Sequence, residues 1–321
     1  TNVSELRSNP ARLNGNITVT GGTSTWNEGP VIRGLYINGG DPVVSRSPLT
    51  VEFCYIHATG GDGVSFESGG GGIARFNLIE TSQDDAIDVD HQTKHIWIEG
   101  NILLNAGQDG LETRQHPDTI PSLVRLTFIN NWVEGSGQDG IQIMDYDNNT
   151  NREYYVARNV FIGNKRAAIG IMPGDVTGEN YGAAPMPERL YLFNNTFVNN
   201  NAGLSGGANV IAVNNIFAGS FLFDLKNVTG SSIIAHSLLR NQSQSGLSGN
   251  VNLDAATTKY GDPLFDANYG LQSGSIAIDG GTATYSHGGQ TVLQISSSEY
   301  AGTAPDLGAY EMDFAEVVAP A

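Results

Sequence analysis

The sequence predicts an all-β fold, a parallel β-helix, from three observations. Short apolar strands recur along the chain, a repeated Asn precedes many of them, and helical 3.6-residue periodicity is almost absent after the first residues. Each repeat is too short to bury an apolar face alone, so successive repeats must stack to form a core. We therefore expect one domain of roughly eight to ten coils, where a coil is one turn of the solenoid.

The composition excludes several classes of protein. Gly accounts for 41 of 321 residues, but hydrophobic residues remain at 39 %, so collagen-like and disordered chains are excluded. The formal net charge of −17 repels phosphate backbones and anionic lipids, so we expect neither a nucleic-acid nor a membrane partner. A single cysteine, Cys54, excludes an internal disulfide and a multi-cysteine zinc site.

The first column of the predicted stack is an Asn followed two residues later by a large apolar residue. We expect the Asn side chains of successive coils to hydrogen-bond to one another at a turn, and the apolar residues to point inward. Spacings of 20 to 36 residues are too irregular for leucine-rich or ankyrin repeats but suit coils with variable loops. The aligned Asn residues are Asn77, Asn101, Asn131, Asn159, Asn195 and Asn215, and the apolar residues are Ile79, Leu103, Val133, Phe161, Phe197 and Phe217.

A second column of five-residue strands follows these Asn residues, as in DAIDV from 85 and DGIQI from 139. Alternation along a strand sends every second side chain outward. The alignment therefore predicts two outward columns that run along the solenoid. One contains Ser65, Asp88, Glu112, Gln142 and Gly170, and the other contains Glu67, Asp90, Arg114 and Met144.

The two ends of the chain differ from the repeats. Ser4 and Asn9 bracket a short helix that we expect to cap the first coil, because an open sheet edge would otherwise pair with another chain. The repeat fades after about residue 240, so we assign residues 1–240 to the N-terminal cap and coils, and 241–321 to the last coils and an irregular C-terminal cap of the same structural body.

The C-terminal segment carries a resemblance that bears on location. GDPLFDANYGLQSGSIAIDGG at 261–281 and APDLGAYEM at 304–312 resemble a tail found at the end of secreted bacterial β-helix proteins. The resemblance implies a secreted or extracytoplasmic protein. The first residues lack the basic start and apolar stretch of a signal peptide, which indicates a soluble chain or an already processed form.

An acidic patch is the strongest chemical signal in the sequence. Coils about 4.8 Å apart bring together the carboxylates of Asp62, Asp84, Asp85, Asp88, Asp90, Asp109 and Glu112. So many carboxylates need neutralisation, and calcium, a hard cation with oxygen ligands, is the natural candidate. Asp109 and Asp139 precede Gly and are more typical of ordinary turns, whereas no turn requires both Asp84 and an outward Asp88.

The segment TSQDDAIDVD at 81–90 resembles the calcium-binding segment of the β-helical pectate lyases of polysaccharide lyase family nine. Asp84, Asp85 and Asp88 match three metal positions, and Asp62 stands one coil earlier, where a fourth belongs. The resemblance implies a right-handed parallel β-helix, a calcium ion that binds a uronate carboxylate, and β-elimination of a polysaccharide substrate by a secreted protein, which we expect to be a monomer.

The resemblance departs from the family at the catalytic base. The position of the family's Lys is Glu112, and Arg114 points outward two residues later. Arg114 and Glu112 are therefore the candidate catalytic residues, although a guanidinium acts as a base only if it is held neutral. We interpret Gln142, Asp90 and His116 as substrate-binding residues, because the first two lie on the outward columns and His116 lies on an insertion beside the patch.

Other functions stay open at this level. The QDD turn also resembles the inverting polygalacturonases of glycoside hydrolase family 28, but the Gly-His-Gly of those enzymes is replaced by Gln108-Asp109-Gly110. DVDHQ at 88–92 is weakly similar to alginate C5-epimerases. A non-catalytic glycan-binding module or adhesin would also explain the missing Lys. Candidates of unassigned role are His91 and His95 beside the patch, the aromatic column Trp97, Tyr155 and Tyr191, and the basic pair Lys165 and Arg166 two coils further along.

Overall fold

The structure is a computed structural model that describes residues 11–21, 29–58, 60–67, 69–116, 120–146, 150–174, 184–240 and 246–312. Strands dominate, and no α-helix occurs within these ranges. The capping helix expected around residues 4–9 lies outside the described residues. None of the described segments forms a helix long and apolar enough to cross a membrane.

The strands follow one another in a regular series. The first coils contain β1 (Ala11–Asn14), β2 (Ile17–Val19), β3 (Val31–Arg33), β4 (Leu35–Gly39), β5 (Val43–Ser45), β6 (Thr50–Glu52), β7 (Tyr55–Ala58), β8 (Val64–Phe66), β9 (Gly72–Arg75), β10 (Leu78–Glu80), β11 (Ile87–Asp90) and β12 (Ile96–Glu99). The middle coils contain β13 (Ile102–Leu104), β14 (Leu111–Arg114), β15 (Val124–Ile129), β16 (Trp132–Glu134), β17 (Ile141–Asp145), β18 (Arg152–Ala157), β19 (Val160–Ile162), β20 (Ala167–Pro173) and β21 (Arg189–Phe193). The last part contains β22 (Thr196–Val198), β23 (Ala202–Ser205), β24 (Val210–Val213), β25 (Ile216–Ala218), β26 (Phe223–Val228), β27 (Ile233–Ala235), β28 (Leu238–Leu239), β29 (Leu247–Val251), β30 (Lys259–Tyr260), β31 (Thr284–His287) and β32 (Gln290–Gln294).

Three long parallel sheets form the walls of the solenoid. Sheet 1 has eleven strands (β1, β4, β7, β10, β13, β16, β19, β22, β25, β28, β30), sheet 2 has ten (β2, β5, β8, β11, β14, β17, β20, β23, β26, β29), and sheet 3 has nine (β3, β6, β9, β12, β15, β18, β21, β24, β27). Within these sheets each strand pairs with the strand three places later, because every coil adds one strand to each sheet, and only β28 departs from this by pairing with β30. The predicted all-β right-handed parallel β-helix is confirmed, and the number of coils is close to that expected.

The Asn ladder, formed by the six aligned Asn residues, lies at the turn between sheet 3 and sheet 1. Asn131 represents them: its Nδ2 donates to Oδ1 of Asn159 at 3.0 Å and to the carbonyl of Ile98 at 3.0 Å, while its Oδ1 accepts from the backbone N–H and the Nδ2 of Asn101. The residue before it, Asn130, has a left-handed φ of 56°, which turns the chain sharply. The predicted hydrogen-bonded ladder is therefore confirmed.

The inward column predicted from the repeats forms the centre of the core. Phe161, Phe197 and Phe217 are buried, and their rings stack along the solenoid axis with centroids 5.3 Å and 4.6 Å apart. Ile79, Leu103 and Val133 occupy the same register in earlier coils. The core is thus one continuous apolar column, and it leaves the outward columns free for other roles.

The C-terminal segment, residues 261–312, returns along the outside of the solenoid. Tyr269 and Tyr310 pack against the outer face of sheet 1 beside Trp132, and Leu293, from the antiparallel hairpin of β31 and β32, packs against sheet 3. The backbone N–H of Ala309 donates to the side chain of Thr196 on β22. This segment covers sheets 1 and 3, whereas the turn between sheets 1 and 2 carries the acidic residues.

Candidate active site

The turn between sheets 1 and 2 has six residues in three successive coils, at 81–86, 105–110 and 135–140. Asp84, Gln108 and Gln138 occupy one position of this turn, because the backbone N–H of each residue donates to the carbonyl of the equivalent residue one coil earlier. Asp85, Asp109 and Asp139 occupy the following position. The turn therefore presents two parallel rows of polar side chains.

The second of these rows, with Asp62 one coil earlier, hydrogen-bonds to the backbone. Oδ1 of Asp62 accepts the N–H of Asp85 at 3.1 Å, and Oδ1 of Asp85 accepts the N–H of Asp109 at 2.7 Å. Asp109 and Asp139 continue the pattern and are fully buried. The turn role predicted for Asp109 and Asp139 is confirmed. Asp85 has the same role through Oδ1, and its Oδ2 is available for a ligand.

The outward columns of sheet 2 lie beside this turn in the predicted register. Asp88 pairs with Ser65 on one side and Glu112 on the other, and Asp90 pairs with Arg114. The Ser65 hydroxyl donates to Oδ2 of Asp88 at 3.1 Å. Oδ1 of Asp88 is buried and has no hydrogen-bond partner among the described residues. A buried carboxylate oxygen without a donor costs free energy unless a cation or a proton neutralises it.

The turn and the sheet together form an open pocket of about 300 Å³, which we call the acidic pocket. Carboxylate oxygens of Asp62, Asp84 and Asp85 lie within 4.8 Å of one another. All four predicted metal ligands and both predicted catalytic residues border it. Its lining residues are Asp62, Asp84, Asp85, Asp88, Gln108, Glu112 and Arg114.

Burial raises the pKa of the carboxyl groups around the pocket. The pKa of Asp62 rises to about 7, mainly through burial and also through the negative charges of Asp84 and other acids. Burial, followed by neighbouring carboxylates, raises the pKa of Asp85 and of Asp88 well above the usual range. Burial also raises the pKa of Asp84, Asp90 and Glu112, although the hydrogen bond with Gln108 offsets part of the rise for Asp84 and Arg114 offsets part of it for Asp90 and Glu112. Protons or a cation must therefore compensate the pocket near neutral pH.

Arg114 is held as a cation at the edge of the pocket. Its Nη2 donates to Oε1 of Glu112 at 2.7 Å, and its Nε lies 3.6 Å from Oδ1 of Asp90. Burial alone would lower the pKa of the guanidinium, but the hydrogen bond to Glu112 and the charge of Asp90 outweigh burial and raise this pKa. These contacts argue against Arg114 as a base and leave Glu112 as the better proton acceptor.

The predicted substrate-binding residues surround the pocket but do not line it: Gln142 lies one coil later than Glu112, and Asp90 and His116 lie toward the turn between sheets 2 and 3. Gln142 follows Glu112 in the outward column and is buried. His116 stacks on His91 with ring centroids 3.7 Å apart, and its Nε2 lies 3.2 Å from the hydroxyl of Tyr146. His91 and His116 are close enough to Asp90 for their charges to lower its pKa against the effect of burial.

Some residues proposed from the sequence lie elsewhere. The Nδ1 of His95 accepts the backbone N–H of Arg125 on sheet 3, and His95 lines a separate groove with Trp97 rather than the acidic pocket. Trp97, Tyr155 and Tyr191 do share one outward column, with Thr127 between the first two. Tyr155 and Tyr191 pack beneath the C-terminal segment, so packing is their structural role.

Sequence reasoning missed a polar support behind the pocket, at the turn between sheets 2 and 3. Gln92 is fully buried, and its backbone N–H donates to Oε1 of Gln115 one coil later at 2.7 Å. The guanidinium of buried Arg152 donates to the carbonyls of Gln92 and His116 at 2.9 Å and 2.7 Å. Arg152 thus fixes the backbone of the two coils that carry Asp88 and Glu112. The recurrence of Gln shortly after β11 and β14 was the available signal.

The donor set fits a hard divalent cation. Every candidate ligand is a carboxylate oxygen, the ligand type that calcium prefers. Asp88 belongs to a second group with Asp90 and Glu112, whose ligand oxygens also lie within 4.8 Å of one another, and its unpartnered Oδ1 would be satisfied by a cation or by a proton. One ion-paired arginine cannot balance the five acids that line the pocket.

Comparison with known proteins gives three findings. Residues 12–161 match the family model described as right handed beta helix region. The crystal structure of the pectate lyase Pel9A resembles the chain with a TM-score of 0.42 and 14 % sequence identity, over 96 % of this chain and 90 % of that one. No curated protein matches the sequence.

Proposed function

We propose that the protein is a secreted, calcium-dependent polysaccharide lyase that cleaves a uronate-containing polysaccharide by β-elimination. One observation carries the proposal: an open pocket gathers Asp62, Asp84, Asp85 and Asp88 next to Glu112 and Arg114. The resemblance of residues 81–90 to the calcium-binding segment of family nine pectate lyases supports the same assignment. A polymeric substrate and a calcium requirement both suit a protein that acts as a monomer outside the cell.

Asp62, Asp84, Asp85 and Asp88 would hold the calcium ion. Bound there, calcium would neutralise the substrate carboxylate and make the proton on the adjacent carbon, C5, more acidic. Asp62 and Asp85 each use one oxygen to accept a backbone N–H, which fixes their orientation before any ligand binds. The backbone of the turn therefore pre-organises the site.

Glu112 is the proposed base and Arg114 its partner. Burial raises the pKa of Glu112, which makes its carboxylate a stronger base, and the hydrogen bond from Arg114 favours its ionised form. Glu112 would accept the C5 proton as the bond between C4 and its glycosidic oxygen breaks. The electron pair of the C–H bond forms the C4–C5 double bond, and the departing oxygen takes up a proton from water. Arg114, about one-third exposed, can also bind the substrate carboxylate.

The neighbouring polar residues would orient the sugar. Asp90 holds Arg114 through its 3.6 Å ion pair, so it acts on the substrate through that arginine. Gln142 extends the column beyond Glu112, and His116 lies beside Asp90 within the stack of His91 and Tyr146. These positions suit hydrogen bonds to the hydroxyl groups of a sugar next to the reacting one.

A carboxylate-based glycoside hydrolase is the second candidate, and one observation favours it. With a pKa of about 7, Asp62 can hold a proton near neutral pH, as a general acid must. A second ionised carboxylate of the pocket would then activate water, as in inverting glycosidases. This candidate needs no calcium, which makes it separable by experiment.

The test is digestion of polygalacturonate, alginate and glycosaminoglycans, with calcium or with a chelator. The lyase should generate unsaturated ends that absorb ultraviolet light, and the chelator should abolish the signal. New reducing ends without absorbance that persist in chelator would instead establish a hydrolase. If neither product forms from any of these polymers, the enzymatic proposal is wrong and the binding module remains.

The variant Glu112→Gln tests the base. We expect turnover to fall at least about a hundredfold, because general base catalysis contributes about 10²- to 10⁴-fold. Calcium affinity, measured by titration calorimetry, should remain within a few-fold. Glu99→Gln on sheet 3 is the matched control, since a Gln oxygen can still accept the hydrogen bond of Trp97. Full activity of Glu112→Gln would show that another group removes the proton.

A further inference from the structure

Arg166 shares the row of Asp84, three coils away. The N–H of Gln108 donates to the carbonyl of Asp84 at 3.0 Å, that of Gln138 to Gln108 at 2.8 Å, and that of Arg166 to Gln138 at 3.0 Å. With neighbouring strands about 4.8 Å apart, Asp84 and Arg166 are separated by about 14 Å along the solenoid. An extended polymer parallel to the axis can span both positions.

Arg166 lacks the acidic partner that six other arginines of the described residues have. Its Nη1 is buried without a hydrogen-bond partner among the described residues, and no ion pair involves it within the same ranges. In contrast, acidic side chains pair with Arg33, Arg46, Arg75, Arg114, Arg125 and Arg158. Arg166 is partly exposed, and in a protein with a net charge of −17 a partly exposed arginine without a carboxylate partner is available for an external anion.

The surface between the acidic pocket and Arg166 is lined with amides. The side chain of Gln138 donates to that of Gln108 at 2.8 Å, and both residues are half-buried. The polar part of the row ends at Arg166, because the N–H of Ala202, in the next coil, donates to the carbonyl of Arg166 and the side chain of Ala202 is apolar. The row thus runs from the carboxylate of Asp84 through the neutral amides of Gln108 and Gln138 to the guanidinium of Arg166, with exposed Lys165 beside it.

We propose that Arg166 forms a distal subsite that binds a carboxylate group of an anionic polysaccharide whose reacting sugar occupies the acidic pocket. The inference rests on the proposed function for the nature of the polymer. The substrate chain then lies along the solenoid axis across Gln108 and Gln138, and its binding requires a polymer long enough to span three coils. A guanidinium suits this role because it binds a carboxylate through two parallel hydrogen bonds.

The first test measures binding without catalysis. The full chain and its Arg166→Gln variant are run in native gels that contain polygalacturonate or alginate, in the presence of calcium. We expect at least one polymer to retard the wild-type protein, and Arg166→Gln to weaken its apparent affinity about tenfold, as for the loss of a charge-assisted hydrogen bond. Arg240→Gln is the matched control, because Arg240 is an exposed arginine on another turn with only a 4.0 Å contact to Asp262.

The second test separates the subsite from the chemistry. If the lyase assignment is correct, Arg166→Gln should raise KM about tenfold on the polymer, leave kcat within about twofold, and leave KM on a disaccharide unchanged. Arg166→Lys should recover part of the loss. Three results would overturn the subsite: equal retardation of Arg166→Gln and wild type in the gels, no retardation of the wild type by either polymer, or a rise of KM on the disaccharide as large as the rise of KM on the polymer. Retardation that depends on Arg166 in a protein without lyase activity would instead overturn the enzymatic assignment alone.

Discussion

The Asn ladder and the acidic pocket both consist of polar residues that recur in successive turns, but only the Asn ladder satisfies its own hydrogen bonds. In both, a short polar residue recurs at the same position of successive turns and accepts a backbone N–H of a neighbouring coil, the previous coil for Asn and the next coil for Asp. In the Asn ladder each amide also donates, so donors and acceptors balance inside the protein. In the acidic pocket the carboxylates can only accept, and Oδ1 of Asp88 is left without a donor.

The difference shows how one repeat can provide both stability and a site. A buried amide that donates and accepts satisfies its neighbours and contributes to the fold. A row of buried carboxylates remains incomplete until a cation, a proton or a ligand arrives. Replacement of the amide NH₂ group of Asn by the second carboxylate oxygen of Asp therefore converts a structural turn into a binding turn. Substitutions of Asn by Asp and of Asp by Asn test this conclusion.

The largest effect is expected for Asn131→Asp in the middle of the Asn ladder. The change replaces the amide that donates to Ile98 and Asn159 by a carboxylate that faces the same two acceptor oxygens. We expect the free energy of unfolding to fall by about 3 to 5 kcal/mol at neutral pH, the cost of a buried charge without a partner. Chemical denaturation monitored by circular dichroism measures the loss.

The control for this variant is Asn268→Asp, on an exposed turn of the C-terminal segment. It introduces the same charge into the same acidic protein and should change stability by less than about 0.5 kcal/mol. A small effect of Asn131→Asp would mean that the ladder tolerates a carboxylate and that the contrast with the acidic pocket is wrong.

An intermediate effect is expected for Asp88→Asn, the reverse exchange. The amide removes the buried charge and keeps an oxygen for the Ser65 hydroxyl. In chelator at pH 8 the variant should therefore melt at a higher temperature than wild type. Calcium at about a hundred times its dissociation constant should stabilise wild type by about 2.7 kcal/mol and the variant far less. Differential scanning calorimetry checks both statements, with Asp262→Asn on an exposed turn as the control.

A smaller effect is expected from pH on calcium binding. The pKa of Asp62 in the folded protein is about 7, above its unfolded value, so protonation stabilises the metal-free fold and this contribution is lost as pH rises through 7. Protons therefore compete with calcium below pH 7, and affinity should fall about tenfold from pH 8 to pH 6 for one displaced proton. Titration calorimetry at the two pH values measures the change. A pH-independent affinity would place the ion away from Asp62.

Most of the solenoid could be predicted from the sequence because a parallel stack aligns equivalent residues. The positions of Asn131, Phe161 and Asp88 follow from counting residues along each repeat, and the structure agrees. The same counting brings Asp62 next to Asp85. Periodicity determines which side chains share a face, so the location of the acidic pocket was predictable.

The remaining features depend on contacts that periodicity does not determine. The sequence leaves Arg114 as a candidate base, but its ion pairs with Glu112 and Asp90 depend on side-chain conformation and favour its charged form. Arg152 spans three coils to reach Gln92, a distance that no local pattern indicates. The C-terminal segment has no repeat at all, and its path along the flank follows from the apolar surfaces that it covers.

That returning segment changes how the molecule can come apart. A stack in which each coil touches only its neighbours can fray one layer at a time from a free end. Here Glu299 pairs with Arg158 and Ala309 bonds to Thr196, each more than a hundred residues earlier in the chain. The last coils cannot unfold separately while the C-terminal segment stays bound to the earlier ones. The C-terminal half should therefore unfold as a single cooperative unit, and proteases should cleave it slowly.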